Sequence, residues 1–314
     1  MLPEEIYQEY TYPSSDGIHT IYADIYAPRD RAPRAVVQVC HGMVDFVKRY
    51  EMLAMALVKN GIVFAGNNHL GHAKSSNTPE DLGFFAERDG YTHVLRDVHT
   101  MNRYLRSTYP GVPVILMGHS MGSFIARLFV AKHPHTVDGV IIHGTGGPNP
   151  LTPLGHLVAG TIGLFCGNRY RSRALRAMTF SGYNSHFPKS EGPNAWLTRD
   201  LTIIDEYNGN PYSNFVFTVS AYRDLFRFLA RSNSKSWFAN YPKSMPTLIM
   251  SGTEDPVGGY GKGVTQVYKN LLLAGVSDVR LRMYEGGRHE LFRDTCRQEV
   301  FREITAFVEE RIRE

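Results

Sequence analysis

Ser120 stands between two glycines, in Gly118-His119-Ser120-Met121-Gly122. A serine hydroxyl is a weak nucleophile and attacks a carbonyl only when a base takes its proton. An apolar run, 112–117, precedes the pentapeptide, and a second, 123–130, follows it. Strand, glycine-flanked serine and helix together predict a tight turn that lifts the serine oxygen above a sheet edge. The glycines permit such a turn, and the helix N-terminus behind it favours developing negative charge. The pentapeptide alone also fits an ordinary glycine-rich loop. Its flanks favour the catalytic turn, which then requires a base, an acid and oxyanion donors.

Histidine is the usual base near neutral pH. With this kind of turn the chain order is serine, acid, histidine. Downstream, the apolar run 247–251 leads into Gly252-Thr253-Glu254-Asp255-Pro256-Val257, and the run 279–284 leads into Glu285-Gly286-Gly287-Arg288-His289-Glu290. Asp255 and His289 thus leave predicted strands at the same edge as Ser120. Among the 13 histidines, His143 also ends a predicted strand, but it precedes any candidate acid. His119 adjoins the nucleophile and cannot easily turn back onto it. Asp255 is preferred over Glu254 because Pro256 would fix its loop. Glu290 is expected to be a solvated or supporting carboxylate. An oxyanion needs backbone donors. They are expected from Met121 and from Met43, in the turn Cys40-His41-Gly42-Met43. The plain alternative for His41-Gly42 is an ordinary strand-to-helix turn.

The elements that must position these residues can be read from hydrophobic periodicity. Strands are predicted near 6–12, 18–26, 35–40, 62–65, 137–143, 247–251 and 279–284, besides the one before Ser120. Helices are predicted near 51–60, 90–109, 263–274 and 296–311. The alternation implies an α/β fold with a mostly parallel sheet. Residues 146–241 break the rhythm and read as a largely helical cap inserted into a core of 1–145 and 242–314. The cap would cover the sheet edge where ligands bind in open α/β folds. Within it, Leu151, Leu154, Leu157, Val158, Ile162, Leu164 and Phe165 either line an acyl channel or form a buried cap helix. Trp196, Tyr207, Phe215, Phe217, Tyr222 and Phe226 form an aromatic group, some of it facing the pocket. Arg169, Arg173 and Arg176 would share a helix face, with Arg171 nearby. This cluster is either a solvated face or a contact for anionic lipid.

The 314 residues are 43% hydrophobic and 20% charged, as in a folded chain. A net charge of +4 without a concentrated basic face argues against nucleic-acid binding. The acidic start, Met1-Leu2-Pro3-Glu4-Glu5, is not a secretory signal. The apolar stretch 151–167 is shorter than the ~20 residues a membrane span needs. Cys40, Cys166 and Cys296 show no metal-type pairing. They are expected to be reduced packing residues in a cytoplasmic protein.

The motifs together resemble the α/β-hydrolase superfamily, and within it the monoacylglycerol lipase and lysophospholipase-like serine hydrolases. The resemblance spans nearly the whole chain outside the cap. It is carried by His41-Gly42-Met43, Arg49-Tyr50, His69-Leu70-Gly71-His72-Ala73-Lys74-Ser75, Asp97, Gly118–Ser123, Gly252–Val257 and Gly286–Glu290. It implies Ser120 as nucleophile, Asp255 as acid, His289 as base, and the Met43 and Met121 amides as oxyanion donors. It implies no metal or organic cofactor. His41, Phe46, Leu154, Val158, Tyr222 and Val257 are the expected pocket residues. The chain departs from the family after Met43. There the usual Gly-Glu-His is replaced by Val44-Asp45-Phe46, the Glu-His pair being associated with the glycerol head. Asn68 and Ser123 are further departures, and none removes a catalytic group. The expected activity is hydrolysis of a lipid-like or other apolar acyl ester through an acyl-enzyme. The substrate is a small acyl ester, with peripheral contact to lipid surfaces as a further partner. A peptidase or acyltransferase would keep the same triad. Relatives with an aspartate nucleophile are disfavoured by Ser120, and a non-catalytic binding relative by the intact triad.

Overall fold

Among the described residues five strands are buried on both faces, which only a sheet covered on both sides can satisfy. The computed structural model, which describes residues 6–313, contains that sheet. The strands are β1 (Tyr7–Pro13), β2 (Thr20–Tyr26), β3 (Ala35–Cys40), β4 (Ile62–Asn67), β5 (Val114–His119), β6 (Gly139–His143), β7 (Thr247–Gly252) and β8 (Val279–Tyr284). Their spatial order is β1-β2-β4-β3-β5-β6-β7-β8. The β1–β2 and β2–β4 pairs are antiparallel, and all others are parallel. This is the expected α/β-hydrolase architecture. The pentapeptide Met1–Glu5, read above as lacking a signal, lies outside the described residues.

Among the described residues ten α-helices connect and cover the strands: α1 (Glu51–Lys59), α2 (Gly90–Thr108), α3 (Met121–Lys132), α4 (Thr152–Cys166), α5 (Arg173–Phe180), α6 (Leu201–Gly209), α7 (Val219–Ser232), α8 (Lys235–Asn240), α9 (Lys262–Leu273) and α10 (Arg297–Ile312). Alternating strand residues feed opposite faces. Val36, Val114, Leu116, Val140 and Ile142 pack with Val94, Val98 and Met101 of α2, Ile125 of α3 and Val267 of α9. Val37, Val39, Ile115, Met117 and Leu248 pack with Leu53 and Leu57 of α1 and with Ile304 and Val308 of α10. Among the described residues no helix is long and apolar enough to cross a membrane.

Residues 146–241 carry α4 to α8. Their last two helices are tied into the core. Tyr222 and Phe228 of α7 are buried, and the Trp237 indole N–H donates to the Arg127 carbonyl on α3 at 2.7 Å. The outer helix α4 is not a buried cap helix, and of the residues expected to line a channel only Leu151 and Leu154 border a cavity. Leu157 is 66% exposed, and Leu164 and Phe165 are each 86% exposed. Only Thr152, Gly155 and Ala159 are buried. The reason is geometric: α4 rests on α7 through its small residues, with Gly155 against the Phe226 ring, which leaves Leu157 and Leu164 outside.

The arginine cluster does not form one helix face, because α5 begins only at Arg173. Arg169 instead pairs with Asp81 at 2.8 Å and lies 3.7 Å from the Phe84 ring centroid. Arg171 donates to the carbonyls of Leu82, Glu80 and Val216. Both fasten the insertion to the 80–87 loop. Arg173 and Arg176 remain exposed. Of the cysteines, Cys166 is exposed rather than packed, and Cys40 alone is fully buried.

Backbone contact fixes the crossing of β5, β3 and α3. A side-chain carbon on Gly122 would run into the Cys40 carbonyl, and one on Gly118 into the Gly122 carbonyl. Neither obstacle is a flexible side chain. Gly122→Ala should therefore lower stability by about 3 kcal/mol, the upper range for overpacking. Urea unfolding measures it, and a change below ~1 kcal/mol would show that this contact yields freely.

Candidate active site

β5 ends at His119, and the serine that follows is forced into an unusual backbone. Ser120, between β5 and α3, has φ 53° and ψ −120°. Such a conformation costs a non-glycine residue on the order of 1–3 kcal/mol and persists only when its surroundings over-determine it. Here the Ser120 N–H donates to the His143 carbonyl at 3.0 Å. The Ser123 hydroxyl donates to the Ser120 carbonyl at 2.5 Å and contacts Thr145 Oγ1 at 2.8 Å.

Asp255 follows β7 and His289 follows β8, and the two loops touch. The Glu254 N–H donates to the Gly287 carbonyl at 3.0 Å. His289 Nδ1 then lies 3.0 and 2.9 Å from the two Asp255 carboxylate oxygens. The Val257 N–H also donates to Asp255 at 2.9 Å. A carboxylate accepts hydrogen bonds, so Nδ1 carries the proton and Nε2 keeps its lone pair. Nε2 is buried and has no hydrogen-bond partner among the described residues. Ser120 and His289 border one cavity of about 600 Å³, together with Gly42, Met43 and Met121. The arrangement can deprotonate a hydroxyl beside an apolar chamber. Residues of the 146–241 segment hold the histidine loop: the Trp196 ring sits 5.0 Å from the His289 ring, and the Glu290 N–H donates to the Leu197 carbonyl at 2.7 Å.

The cavity is divided. Leu151, Leu154, Phe124, Leu225, Phe226, Leu229 and Val257 give it apolar walls, while Asp45, Tyr207 and Glu290 give it a polar end. Of the expected pocket residues, Leu154 and Val257 border it and four do not. His41 is buried beneath the 42–45 turn, with its Nδ1 2.8 Å from the Gly42 carbonyl. Phe46 packs edge-on to Tyr212. Val158 packs on the main core. Tyr222 is wholly buried between Phe217 and Phe226. Of the aromatic group, Trp196, Tyr207 and Phe226 line the cavity, and Phe215 and Phe217 do not.

Two buried networks support the site, and neither was expected from the sequence. In one, Arg49 donates to Asp45 at 2.8 Å and to Glu290 at 2.7 Å, and its guanidinium lies 4.7 Å from the Tyr207 ring centroid. Asp45 also accepts from the Gly42 N–H at 3.1 Å and the Tyr50 hydroxyl at 2.7 Å. Burial would push the Asp45 carboxyl up, but the Arg49 guanidinium, His41 and the hydrogen bonds hold it low. Glu290 is thus a buried ion-pair partner rather than a solvated carboxylate. The Asp45/Arg49 spacing of four was the readable signal; Glu290 and Tyr207 come from distant segments.

In the second network, His119 Nδ1 lies 2.7 Å from His143 Nδ1, and the His119 ring is 4.7 Å from that of His289. His119 therefore faces its neighbouring strand instead of Ser120. Burial, and then the nearby histidines, push the His119 imidazole far down; burial and His289 bring His143 to about 3. Burial first, then His41, likewise brings His72 to about 3.

These depressed histidines make stability fall in mild acid. Each stays neutral in the folded chain, whereas unfolded histidine takes a proton below pH ~6.5. The unfolded state then binds more protons, so folding stability is lost as pH drops from about 6.5 towards 3. At pH 5, His72 and His143 should each remove on the order of 2 kcal/mol. Urea midpoints at pH 7 and pH 5 should show the drop, and His143→Phe should reduce it. Equal midpoints would contradict the neutral buried imidazoles.

Comparison with known proteins gives this geometry a family. The Hydrolase_4 family profile, described as serine aminopeptidase, S33, matches residues 31–296. The human monoglyceride lipase is 28% identical over 286 residues, covering 89% of this chain and 84% of its own. A monoglyceride lipase homolog of monkeypox virus is 26% identical over 288 residues, covering 90% and 91%. A solved structure of a highly thermostable carboxyl esterase from Bacillus coagulans, in complex with glycerol, superimposes with a TM-score of 0.91. It is 29% identical and covers 98% of this chain and 99% of that one. The chain belongs to the Hydrolase_4 family of α/β hydrolases and is a serine hydrolase of carboxylic esters.

Proposed function

We propose that Ser120, His289 and Asp255 are the catalytic triad of a hydrolase for monoacyl esters of small neutral alcohols, glycerol esters foremost. The observation that carries this reading is the buried His289–Asp255 pair, whose free Nε2 and Ser120 share one largely apolar cavity. Ser120 attacks the ester carbonyl while His289 Nε2 takes its proton. The Met43 and Met121 N–H groups receive the negative oxygen, a term worth about 3–4 kcal/mol per donor in known enzymes. His289 then protonates the leaving alcohol. Water, activated by the same imidazole, releases the acid. Asp255 keeps the imidazole in its reactive tautomer.

The apolar walls suit the acyl chain. The polar end brings two carboxylates, Asp45 and Glu290, around one guanidinium. That excess of negative charge suits a neutral alcohol better than the phosphate of a lysophospholipid. Both carboxylates are ion-paired to Arg49, which lowers the charge they could offer the ammonium of a peptide substrate. The relatives named monoglyceride lipase support the same substrate class. The proposed cap is 146–241, with α7 and α8 as its anchor and α4 as its outer edge. The exposed Leu157, Leu164 and Phe165 of α4 would rest on a lipid surface, the source of an apolar ester. Three free thiols suit a reducing cytoplasm.

Ser120→Ala should abolish hydrolysis of p-nitrophenyl esters and of monoacylglycerols while the fold persists. Each CH₂ buried in the cavity contributes about 0.8 kcal/mol. In the wild type, kcat/KM should therefore rise roughly three- to fourfold per CH₂ from acetate until the cavity fills. Monoacylglycerols should be cleaved in preference to lysophospholipids and aminoacyl amides. Wild-type turnover by Ser120→Ala, or preference for an amide, would reject the reading. For the surface contact, Leu164→Glu with Phe165→Glu should slow turnover of vesicle-borne monoacylglycerol and spare that of dissolved p-nitrophenyl butyrate. Equal slowing of both would rule out a membrane role for α4.

A further inference from the structure

We infer that His72 is a positioning residue for catalysis: its Nε2 accepts the Val44 N–H and so holds the strained turn that presents the Met43 N–H to the cavity. The inference rests on Met43 being an oxyanion donor, as proposed above.

Val44 has φ 55°. That is the left-handed region, where a β-branched residue is a true outlier and a glycine is at ease. Something must hold it there. His72 is the group in place. Its Nδ1 lies 3.0 Å from the Leu70 carbonyl, and its Nε2 lies 3.3 Å from the Val44 nitrogen. A carbonyl only accepts, so Nδ1 carries the proton and Nε2 offers a lone pair. The bond to Val44 therefore runs in one direction, from a fixed tautomer. On the other side of Met43, the Gly42 N–H donates to Asp45 at 3.1 Å. The amides before and after Met43 are both tied. The Met43 N–H between them has no acceptor among the described residues.

His72 is itself fixed. It is fully buried, and its ring packs against Phe85, Phe215 and Phe217 at 5.8, 5.6 and 5.4 Å. It touches no part of the cavity. Its effect on the reaction must pass through the turn. The brace also explains how valine can stand at position 44: the hydrogen bond supplies what a glycine would supply by having no side chain.

The test is a double-mutant cycle on p-nitrophenyl butyrate, using His72→Phe, Val44→Gly and the pair. Phenylalanine keeps the aromatic packing and removes the acceptor. His72→Phe should lower kcat about tenfold or more, part of the loss known for a missing oxyanion donor, with KM within about twofold. In the Val44→Gly background the same substitution should lower kcat less than about threefold, because glycine holds the turn unaided. Inhibition by an alkyl trifluoromethyl ketone, which forms an oxyanion on the serine, should weaken in step with kcat. If His72→Phe does not fold, His72→Leu enters the cycle in its place. An equal kcat loss in both backgrounds would reduce His72 to packing and overturn the brace. Full kcat in His72→Phe, with Ser120→Ala inactive, would overturn the brace and leave the triad standing. Turnover by Ser120→Ala would overturn the triad, and the brace with it.

Discussion

The site depends on one close backbone approach, that of α3 to the end of β3. Gly122 lies so near the Cys40 carbonyl that no side chain fits between them. That contact holds the start of α3, and with it Ser120, against the turn that carries Met43. The proposed nucleophile and the turn proposed to hold the oxyanion are therefore not two features that happen to meet. They are the two sides of one glycine contact, and the strained backbone of Ser120 is its consequence. The parallel sheet adds the rest by register. Asp255 and His289 leave β7 and β8 at the same edge, and the Glu254–Gly287 hydrogen bond closes the distance between their loops.

Charge and tautomer then set the fine geometry. Asp45, Arg49 and Glu290 link the 42–45 turn to the His289 loop through one guanidinium. A buried pair of this kind adds little net stability, but loss of one partner leaves an uncompensated charge. Such a link serves orientation more than stability. The neutral histidines act in the same way without charge: His41, His72, His119 and His143 each have a ring nitrogen within bonding distance of a backbone or imidazole partner. Neutral imidazoles near His289 also add no positive charge beside a proposed base that would itself become positive.

Much of this was readable from the chain. Double-sided apolar runs gave the strands, and the Ser–Asp–His order with turn residues gave the candidate triad, because both follow from local spacing. Of the expected pocket residues, Leu154 and Val257 border the cavity and the others lie away from it. Tyr222 and Val158 have the residue types of a lining, yet α7 and α4 turn them into the core, and helix orientation is set by partners that the local sequence does not name. Arg169 looked like one of a helical row; Asp81, distant in sequence, claims it instead. The leucines of α4 suited either an acyl channel or a buried helix, but Gly155 and Ala159 form its contact, so Leu157 and Leu164 face outward. Glu290 and Tyr207 join Arg49 across more than 150 residues, which no local pattern reveals.

The most direct measurement of the central claim is the site of covalent capture by an alkyl fluorophosphonate. Wild-type protein and His289→Gln are treated with the reagent, and the labelled peptides are mapped by mass. The proposed triad predicts a single phosphonylated residue, Ser120, with labelling slowed at least a hundredfold when the base is replaced. Labelling of another serine, or of Ser120 at the same rate without His289, would contradict it.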